Sequence, residues 1–119
     1  MKALTTDDIQ RYLKSDNEFI GVYPINKVNG INTPKLKNVA FIANLQADNL
    51  PGNHWVAVRR CSSGYAKYFD SFGRIPPREI QHWLVNNSNC WTHNKLIMQK
   101  LDDKTACGYL CIAFVKHLI

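Results

Sequence analysis

The sequence has no apolar run that approaches the length of a membrane span. Its first residues lead directly into Thr5-Thr6-Asp7-Asp8, so the apolar segment of a secretory signal is also lacking. Internal repeats, low-complexity tracts and linker-like stretches are absent. These absences argue against a membrane-spanning protein and a repeat array, and we expect an intracellular protein with no membrane partner.

Acidic residues are scarce relative to basic ones. The chain has 9 Asp and Glu against 15 Lys and Arg, which gives a formal charge of +6 and a pI of about 9.3. The excess favours an anionic partner such as nucleic acid or an acidic surface. The basic residues are scattered, however, and form no DNA-reading motif, so a solvated basic surface explains them equally well.

Cysteines number only 4, and without a secretory signal free thiols are the expected state. Cys107 and Cys111 lie one helical turn apart, but no second close ligand pair completes a zinc tetrahedron. With 119 residues, 45% of them hydrophobic, the composition is that of an ordinary globular protein. We therefore expect a single domain over residues 1–119.

The first half of the chain predicts one helix and two strands. A helix over residues 5–13 is indicated by an N-cap candidate, first-turn acids and helically spaced apolar residues. An extended piece follows at 19–24, with turn signals over 26–34. The continuous apolar run at 39–45 predicts a central strand buried on both faces, and a turn follows at 49–53.

The second half begins with a predicted hairpin of strands at 54–60 and 65–70. A helix at 78–84, a strand at 95–99 and a polar loop at 102–105 follow, and this loop leads into an apolar helix. These elements predict an α+β fold with a central mixed or antiparallel sheet of about four to five strands, packed against the C-terminal helix.

Three side chains in this arrangement carry nucleophilic chemistry. His54 enters one strand of the hairpin and Asp70 leaves the other, so the two are approximate cross-strand neighbours. Cys107 stands at the start of the C-terminal helix, where the partial positive charge favours a thiolate. Cys107 would be the nucleophile, His54 its base, and Asp70 the carboxylate that orients His54.

Acyl transfer also needs donors for the developing oxyanion, and we predict the Cys107 backbone N–H and the Gln99 side-chain amide. Each residue has an ordinary alternative. Cys107 fits a small core residue, His54 a surface strand edge, Asp70 a turn cap, and Gln99 an exposed strand end. The residues alone leave these alternatives open.

The local sequences around these residues resemble one protease family. The residues stand in the order His, Asp, Gln, Cys, within Asn53-His54-Trp55-Val56-Ala57, Tyr68-Phe69-Asp70-Ser71-Phe72-Gly73, Gln99 and Ala106-Cys107-Gly108-Tyr109-Leu110-Cys111. This pattern resembles the adenain-like cysteine proteases of adenoviruses and related DNA viruses. It is more distantly similar to the proteases that cleave ubiquitin-like modifiers.

The resemblance implies a papain-like, adenain-like fold with His54, Asp70 and Cys107 as the triad and Gln99 in the oxyanion hole. It implies no required cofactor, but DNA or a short disulfide-linked peptide stimulates adenain. Cys90 falls near the position of the peptide-linking cysteine. By the same resemblance we expect a monomer from a DNA virus, virophage or virus-like transposon, in the host cytoplasm or nucleus and packaged in the virion.

Three functions therefore compete. The first is a cysteine endopeptidase that cleaves viral capsid or core precursor proteins after a Gly-containing motif. The second is an isopeptidase that removes ubiquitin or a ubiquitin-like modifier through the same residues. The third is a basic nucleic-acid-binding module whose cysteines are structural, which predicts equally slow alkylation of every thiol.

Overall fold

The computed structural model of the chain describes residues 2–46, 54–99 and 105–119. The turn predicted at 49–53, and residues 102–104 of the polar loop predicted at 102–105, lie outside the described residues. In chain order the elements are α1 (Thr6–Leu13), β1 (Phe19–Pro24), a 3₁₀ helix (Ile25–Gly30), β2 (Val39–Asn44), β3 (Trp55–Arg60), β4 (Tyr65–Phe69), α2 (Arg78–Asn87), β5 (Cys90–His93) and α3 (Ala106–Val115).

The five strands form one sheet in which spatial order follows chain order, β1-β2-β3-β4-β5. The pairs β2 with β3 and β3 with β4 are antiparallel, whereas the outer pairs β1 with β2 and β4 with β5 are parallel. The predicted mixed sheet and the hairpin of β3 and β4 are therefore confirmed. The apolar run at β2 is an interior strand, buried from Val39 through Ala43.

Helices cover both faces of the sheet, because alternate side chains along each strand point to opposite sides. Phe69 packs on one side with α1 and α3, and Tyr68 packs on the other with α2 and the 3₁₀ helix. The hydrophobic core is thus divided into two layers by the sheet. The α3 helix is apolar around much of its circumference and lies across β2 and β3, as predicted for the cysteine-bearing helix.

The N-terminal segment is fixed beside the start of α3. Thr5 and Asp8 form a capping box at α1, in which the Thr5 side chain accepts a bond from the Asp8 backbone N–H and the Asp8 carboxylate accepts one from the Thr5 N–H. Leu4 is buried, and its carbonyl accepts a 3.2 Å hydrogen bond from the Trp55 indole nitrogen. Strand β3 and the N-terminal segment therefore support the first turn of α3 together.

Two predicted local structures differ from the observed ones. The region of turn signals contains the 3₁₀ helix Ile25–Gly30. The strand predicted at 95–99 is wrong, because the strand that pairs with β4 lies earlier, at Cys90–His93. The side chain of Asn94 accepts a hydrogen bond from the Asp70 N–H (2.9 Å) and donates one to the Asp70 carbonyl (2.6 Å). This side chain replaces the next backbone pair, and the chain leaves the sheet there.

None of the helices in these described ranges has the length and apolar character needed to cross a membrane.

Candidate active site

The hairpin brings His54 and Asp70 into direct contact. In the β3–β4 ladder Ala57 faces Phe69, so continuing the register places Asp70 opposite Val56, two residues from His54. The side chains close this offset, since His54 Nε2 lies 2.8 Å from Asp70 Oδ1. His54 and Asp70 were predicted to be approximate cross-strand neighbours. They are not directly opposite each other in the backbone ladder, but their side chains are in contact.

Asp70 is a buried carboxylate with a complete set of donors. It is 1% exposed, and its Oδ1 also accepts a hydrogen bond from the Phe72 N–H at 2.9 Å. Its Oδ2 accepts one from Arg74 Nε at 3.1 Å. Burial alone would raise the pKa of Asp70, but the bonds from His54 and the Phe72 N–H, with the charges of His54 and Arg74, hold that pKa below its ordinary value.

Cys107 is the second residue of α3 and is buried, with 3% exposure. Burial favours the neutral thiol, but hydrogen bonds from His54, the Trp55 N–H and the Gly108 N–H, together with the His54 charge, lower the pKa of Cys107. The donors come from β3 and from the helix start itself. The sulfur therefore occupies a site that favours its negative form.

His54 connects the other two residues. Burial opposes a charge on its ring, but the hydrogen bonds and negative charges of Asp70 and Cys107 raise the pKa of His54 to about 9. Because Nε2 bonds Asp70, Nδ1 is the ring nitrogen left for Cys107. The Phe72 ring stacks on the imidazole, with centroids 5.0 Å apart and planes at 19°. The arrangement favours a thiolate and an imidazolium at neutral pH.

Gln99 lies beside the loop that carries Asp70, although it does not end a strand as predicted. It is buried, and its side-chain carbonyl accepts a hydrogen bond from the hydroxyl of Ser71, itself fully buried. The preceding Met98 N–H donates to the Ser71 carbonyl at 2.7 Å. Because Oε1 faces Ser71, the amide nitrogen of Gln99 points another way, as an oxyanion donor must, but this role stays a prediction.

Gly73 allows the segment before Gln99 to pack against the Asp70 loop. Its φ of +69° lies in the left-handed region, and a Cβ added there would meet the Lys95 carbonyl oxygen at 2.7 Å. A larger residue at this position would clash with rigid backbone. The lack of a side chain at Gly73 thus lets the segment that leads to Gln99 lie close to the loop that follows Asp70.

Cys90 lies away from this cluster. It is the first residue of β5 and faces Tyr65 at the start of β4, whereas Asp70 follows the end of β4. Its thiol is free and exposed, like that of Cys61. The predicted disulfide to an activating peptide, and activation by DNA, stay predictions. Within the described residues, no group of three His, Cys, Asp or Glu side chains could hold a metal ion.

Three further residues, for which no role was predicted, contact the site: Ser71 contacts Gln99, Phe72 contacts His54 and Arg74 contacts Asp70. All three follow Asp70 within four residues. A signal was present, because a loop that continues from an active-site carboxylate stays near the other site residues. The identity of each contact depends on loop geometry, which residue spacing does not supply.

Solved structures with the same fold include proteases. Two crystal structures of the ASFV pS273R protease, one of them of the selenomethionine protein, are similar to the chain with TM-scores of 0.65 and 0.62 at 17% identity. They cover 98% and 96% of this chain, which spans 58% of the protease chain in each case. The predicted α+β, adenain-like fold is therefore confirmed.

The central domain of the uncharacterized Lpg1148 protein from Legionella pneumophila is also similar, with a TM-score of 0.68 at 14% identity. The match covers 99% of this chain and 76% of that domain. No protein-family model matches the chain, and no curated protein is similar to it in sequence. At these identities the structural likeness establishes the fold, and the chemistry has to be argued from the site.

Proposed function

We propose that the chain is a cysteine peptidase that hydrolyses peptide bonds through Cys107, His54 and Asp70. The observation that carries this proposal is the geometry of three buried side chains: His54 Nε2 lies 2.8 Å from Asp70 Oδ1, and the same imidazole forms a hydrogen bond with Cys107. The pKa of the thiol is lowered while that of the imidazole is raised to about 9. A structural cysteine in a core gains nothing from such an environment, whereas a nucleophile does.

The reaction has two halves, acylation and deacylation, and His54 transfers a proton in each of them. The proton of Cys107 resides on His54, and the thiolate sulfur attacks the scissile carbonyl carbon to form a tetrahedral intermediate. Collapse breaks the C–N bond, and the His54 imidazolium gives its proton to the leaving amine. Water then attacks the thioester with His54 as base, which releases the acid and regenerates the thiol. Asp70 holds the ring and stabilises its positive charge throughout.

The proposed reaction needs two donors for the oxyanion, and we assign them to a backbone N–H and a side-chain amide. The Cys107 N–H belongs to the first turn of α3, where N–H groups have no intrahelical acceptor. We assign the second donor to the Gln99 amide nitrogen, which Ser71 orients from the opposite side of the amide. Donors of this kind lower the barrier by stabilising charge that develops in the transition state.

For the substrate we propose precursor proteins of a DNA virus or virus-like element, cut after a Gly-containing motif. The support is the resemblance carried by the residues around His54, Asp70 and Cys107, together with a fold shared with an ASFV protease. The chain spans 58% of that protease, so its substrate specificity is a separate question from its chemistry.

Cleavage of a Gly-containing peptide library tests the chemistry. Cys107→Ala should reduce cleavage by about 10⁴-fold or more, and His54→Ala nearly as much. Cys61→Ala is the matched control, because Cys61 is an exposed thiol outside the site. Retained cleavage in the Cys107 or His54 variant would refute the assignment.

The competing functions give different results in two further measurements. Ubiquitin-type modifiers with a C-terminal electrophile should label Cys107 poorly, and strong labelling by one modifier would favour an isopeptidase. Iodoacetamide at mildly acidic pH should alkylate Cys107 faster than Cys61 and Cys90, although these two are more exposed. Equally slow alkylation, with salt-sensitive DNA binding, would favour the nucleic-acid-binding module.

A further inference from the structure

We infer that Phe72 and Arg74 are positioning residues, which hold His54 and Asp70 in the orientation that the Cys107 thiolate requires. The inference rests on the proposed function insofar as the Cys107–His54 pair is taken to be reactive. It adds two residues that contact neither the nucleophile nor a substrate carbonyl in the reaction described above.

Phe72 contacts both members of the His54–Asp70 pair. Its backbone N–H donates to Asp70 Oδ1, the same oxygen that His54 Nε2 contacts. Its ring lies nearly parallel to the imidazole, at 19°, with centroids 5.0 Å apart. An imidazole can rotate about its Cβ–Cγ bond, and rotation would exchange the nitrogens that face Asp70 and Cys107. The Phe72 ring opposes this rotation by steric contact, and its face favours the protonated ring.

Arg74 completes the same unit from the other carboxylate oxygen. Its Nε donates to Asp70 Oδ2 at 3.1 Å, and its guanidinium carbon lies 4.9 Å from the centre of the Phe72 ring. One side chain therefore contacts the carboxylate that orients His54 and the ring that stacks on it. Because the Arg74 side chain is 57% exposed, solvent screens part of its charge, so Arg74 acts on Asp70 through direct contact and through a weakened electrostatic attraction.

Few other ionisable groups act on this unit. Among the described residues, those that interact with His54 or Asp70 are Cys107, Arg74, Tyr68 and Cys111. Burial raises the pKa of Tyr68 and of Cys111, so both are neutral at physiological pH. Two positive charges therefore act on Asp70 in this unit, that of His54 and that of Arg74.

Removal of a nearby cation raises the pKa of every acid close to it. In Arg74→Gln the thiolate should therefore form at higher pH, and the acid limb of Cys107 alkylation should move up by less than about one pH unit. Arg74→Lys restores the charge and should move the limb back toward the wild type. Arg78→Gln is the control, since Arg78 is exposed at the start of α2.

Phe72→Leu keeps the backbone N–H donor and removes the ring. It should lower kcat by roughly 2- to 10-fold with little change in KM, and Phe72→Tyr should restore the rate. The control is Phe19→Leu, which removes a partly buried ring in β1. A structural loss would appear in both Leu variants, whereas a positioning role changes kcat in Phe72→Leu alone.

The decisive experiment measures iodoacetamide alkylation of Cys107 against pH by mass spectrometry, alongside peptide cleavage by the same variants. A shift of the acid limb of alkylation in Arg74→Gln, without a shift in Arg78→Gln, supports the inference. If no peptide is cleaved in the same experiment, the proposed function fails but the inference does not. The opposite result is that the wild type cleaves peptide and that Phe72→Leu and Arg74→Gln have the same alkylation and cleavage profiles as the wild type. This result would overturn the inference and leave the proposed function standing.

Discussion

The His54 Nε2 atom lies 2.8 Å from Asp70 Oδ1, so the Nδ1 atom of the same ring serves Cys107. The pKa of this imidazole rises to about 9, whereas the pKa of the Cys107 thiol falls below its ordinary value. The ion pair therefore exists in a window below pH 9, bounded on the acid side by protonation of the thiolate.

Peptide cleavage should consequently show a bell-shaped pH dependence with its alkaline limb near pH 9. Above that pH the imidazolium loses its proton and cannot protonate the leaving amine. Alkylation of Cys107 needs only the thiolate, so it should show the acid limb and stay high above pH 9. Quenched alkylation assays and initial cleavage rates, measured in the same series of buffers, check this prediction. A decline of both rates above pH 9 would contradict it.

The bond from Ser71 to the Gln99 side-chain carbonyl predicts a non-additive pair of substitutions. Gln99→Ala should lower kcat by roughly 10²- to 10³-fold, as removal of an oxyanion donor does, and Ser71→Ala should lower it by less. If Ser71 acts by orienting Gln99, the double variant should be no slower than Gln99→Ala alone. Ser63→Ala, at an exposed turn, is the control, and additive losses would show that Ser71 acts independently.

Gly73 and Gly30 form a matched pair for a stability test. Gly73→Ala forces a Cβ into a left-handed backbone conformation and to within 2.7 Å of the Lys95 carbonyl, so it should reduce the free energy of unfolding by roughly 1–3 kcal/mol. A Cβ at Gly30 meets nothing within 4 Å, and Gly30→Ala should change stability by less than about 0.5 kcal/mol. Urea unfolding of both variants measures the difference, and equal stabilities of Gly73→Ala and Gly30→Ala would contradict the prediction.

Arg60 supports the fold at the end of β3. Its guanidinium is buried and donates to the carbonyls of Pro34 (2.7 Å), Lys37 (2.8 Å) and Asn87 (3.3 Å). Arg60→Leu leaves these acceptors without their donor and should cost about 2–4 kcal/mol of unfolding free energy.

Lys67→Leu, on the exposed side of the neighbouring strand, is the control for Arg60→Leu and should change stability by less than about 0.5 kcal/mol. Thermal unfolding of both variants, with cleavage measured well below the transition, checks the prediction. A lowered Tm with normal cleavage by the folded protein is expected for Arg60→Leu. Lost cleavage at full stability would contradict a structural role.

Strands β1 to β4, the hairpin and the helix that carries Cys107 were predictable because each has a strong local pattern. The buried run at β2 reads as an interior strand, and the helix start at Cys107 follows from the apolar segment behind it. The contact between His54 and Asp70 was predictable because a short turn constrains both ends of a hairpin. Local sequence therefore predicted which three residues, His54, Asp70 and Cys107, the fold brings together, whereas their catalytic roles stay a prediction.

The region from Asn94 to Gln99 was not predictable in the same way. Its apolar residues suggest a strand, but the Asn94 side chain forms the hydrogen bonds that end the pairing with β4. Likewise the stacking of Phe72 on His54 depends on how the Asp70 loop turns at Gly73. Such side-chain contacts over long sequence separation override local preference, and residue spacing does not reveal them.

The order of elements also has a consequence for the timing of activity. His54 and Asp70 belong to the β3–β4 hairpin, whereas Cys107 arrives with α3, which follows the whole sheet in the chain. During synthesis His54 and Asp70 therefore leave the ribosome before Cys107. The sulfur receives its donors from His54 and Trp55 only after α3 docks on β3. Under the proposed function, Cys107 therefore stays unactivated until α3 has packed against β3.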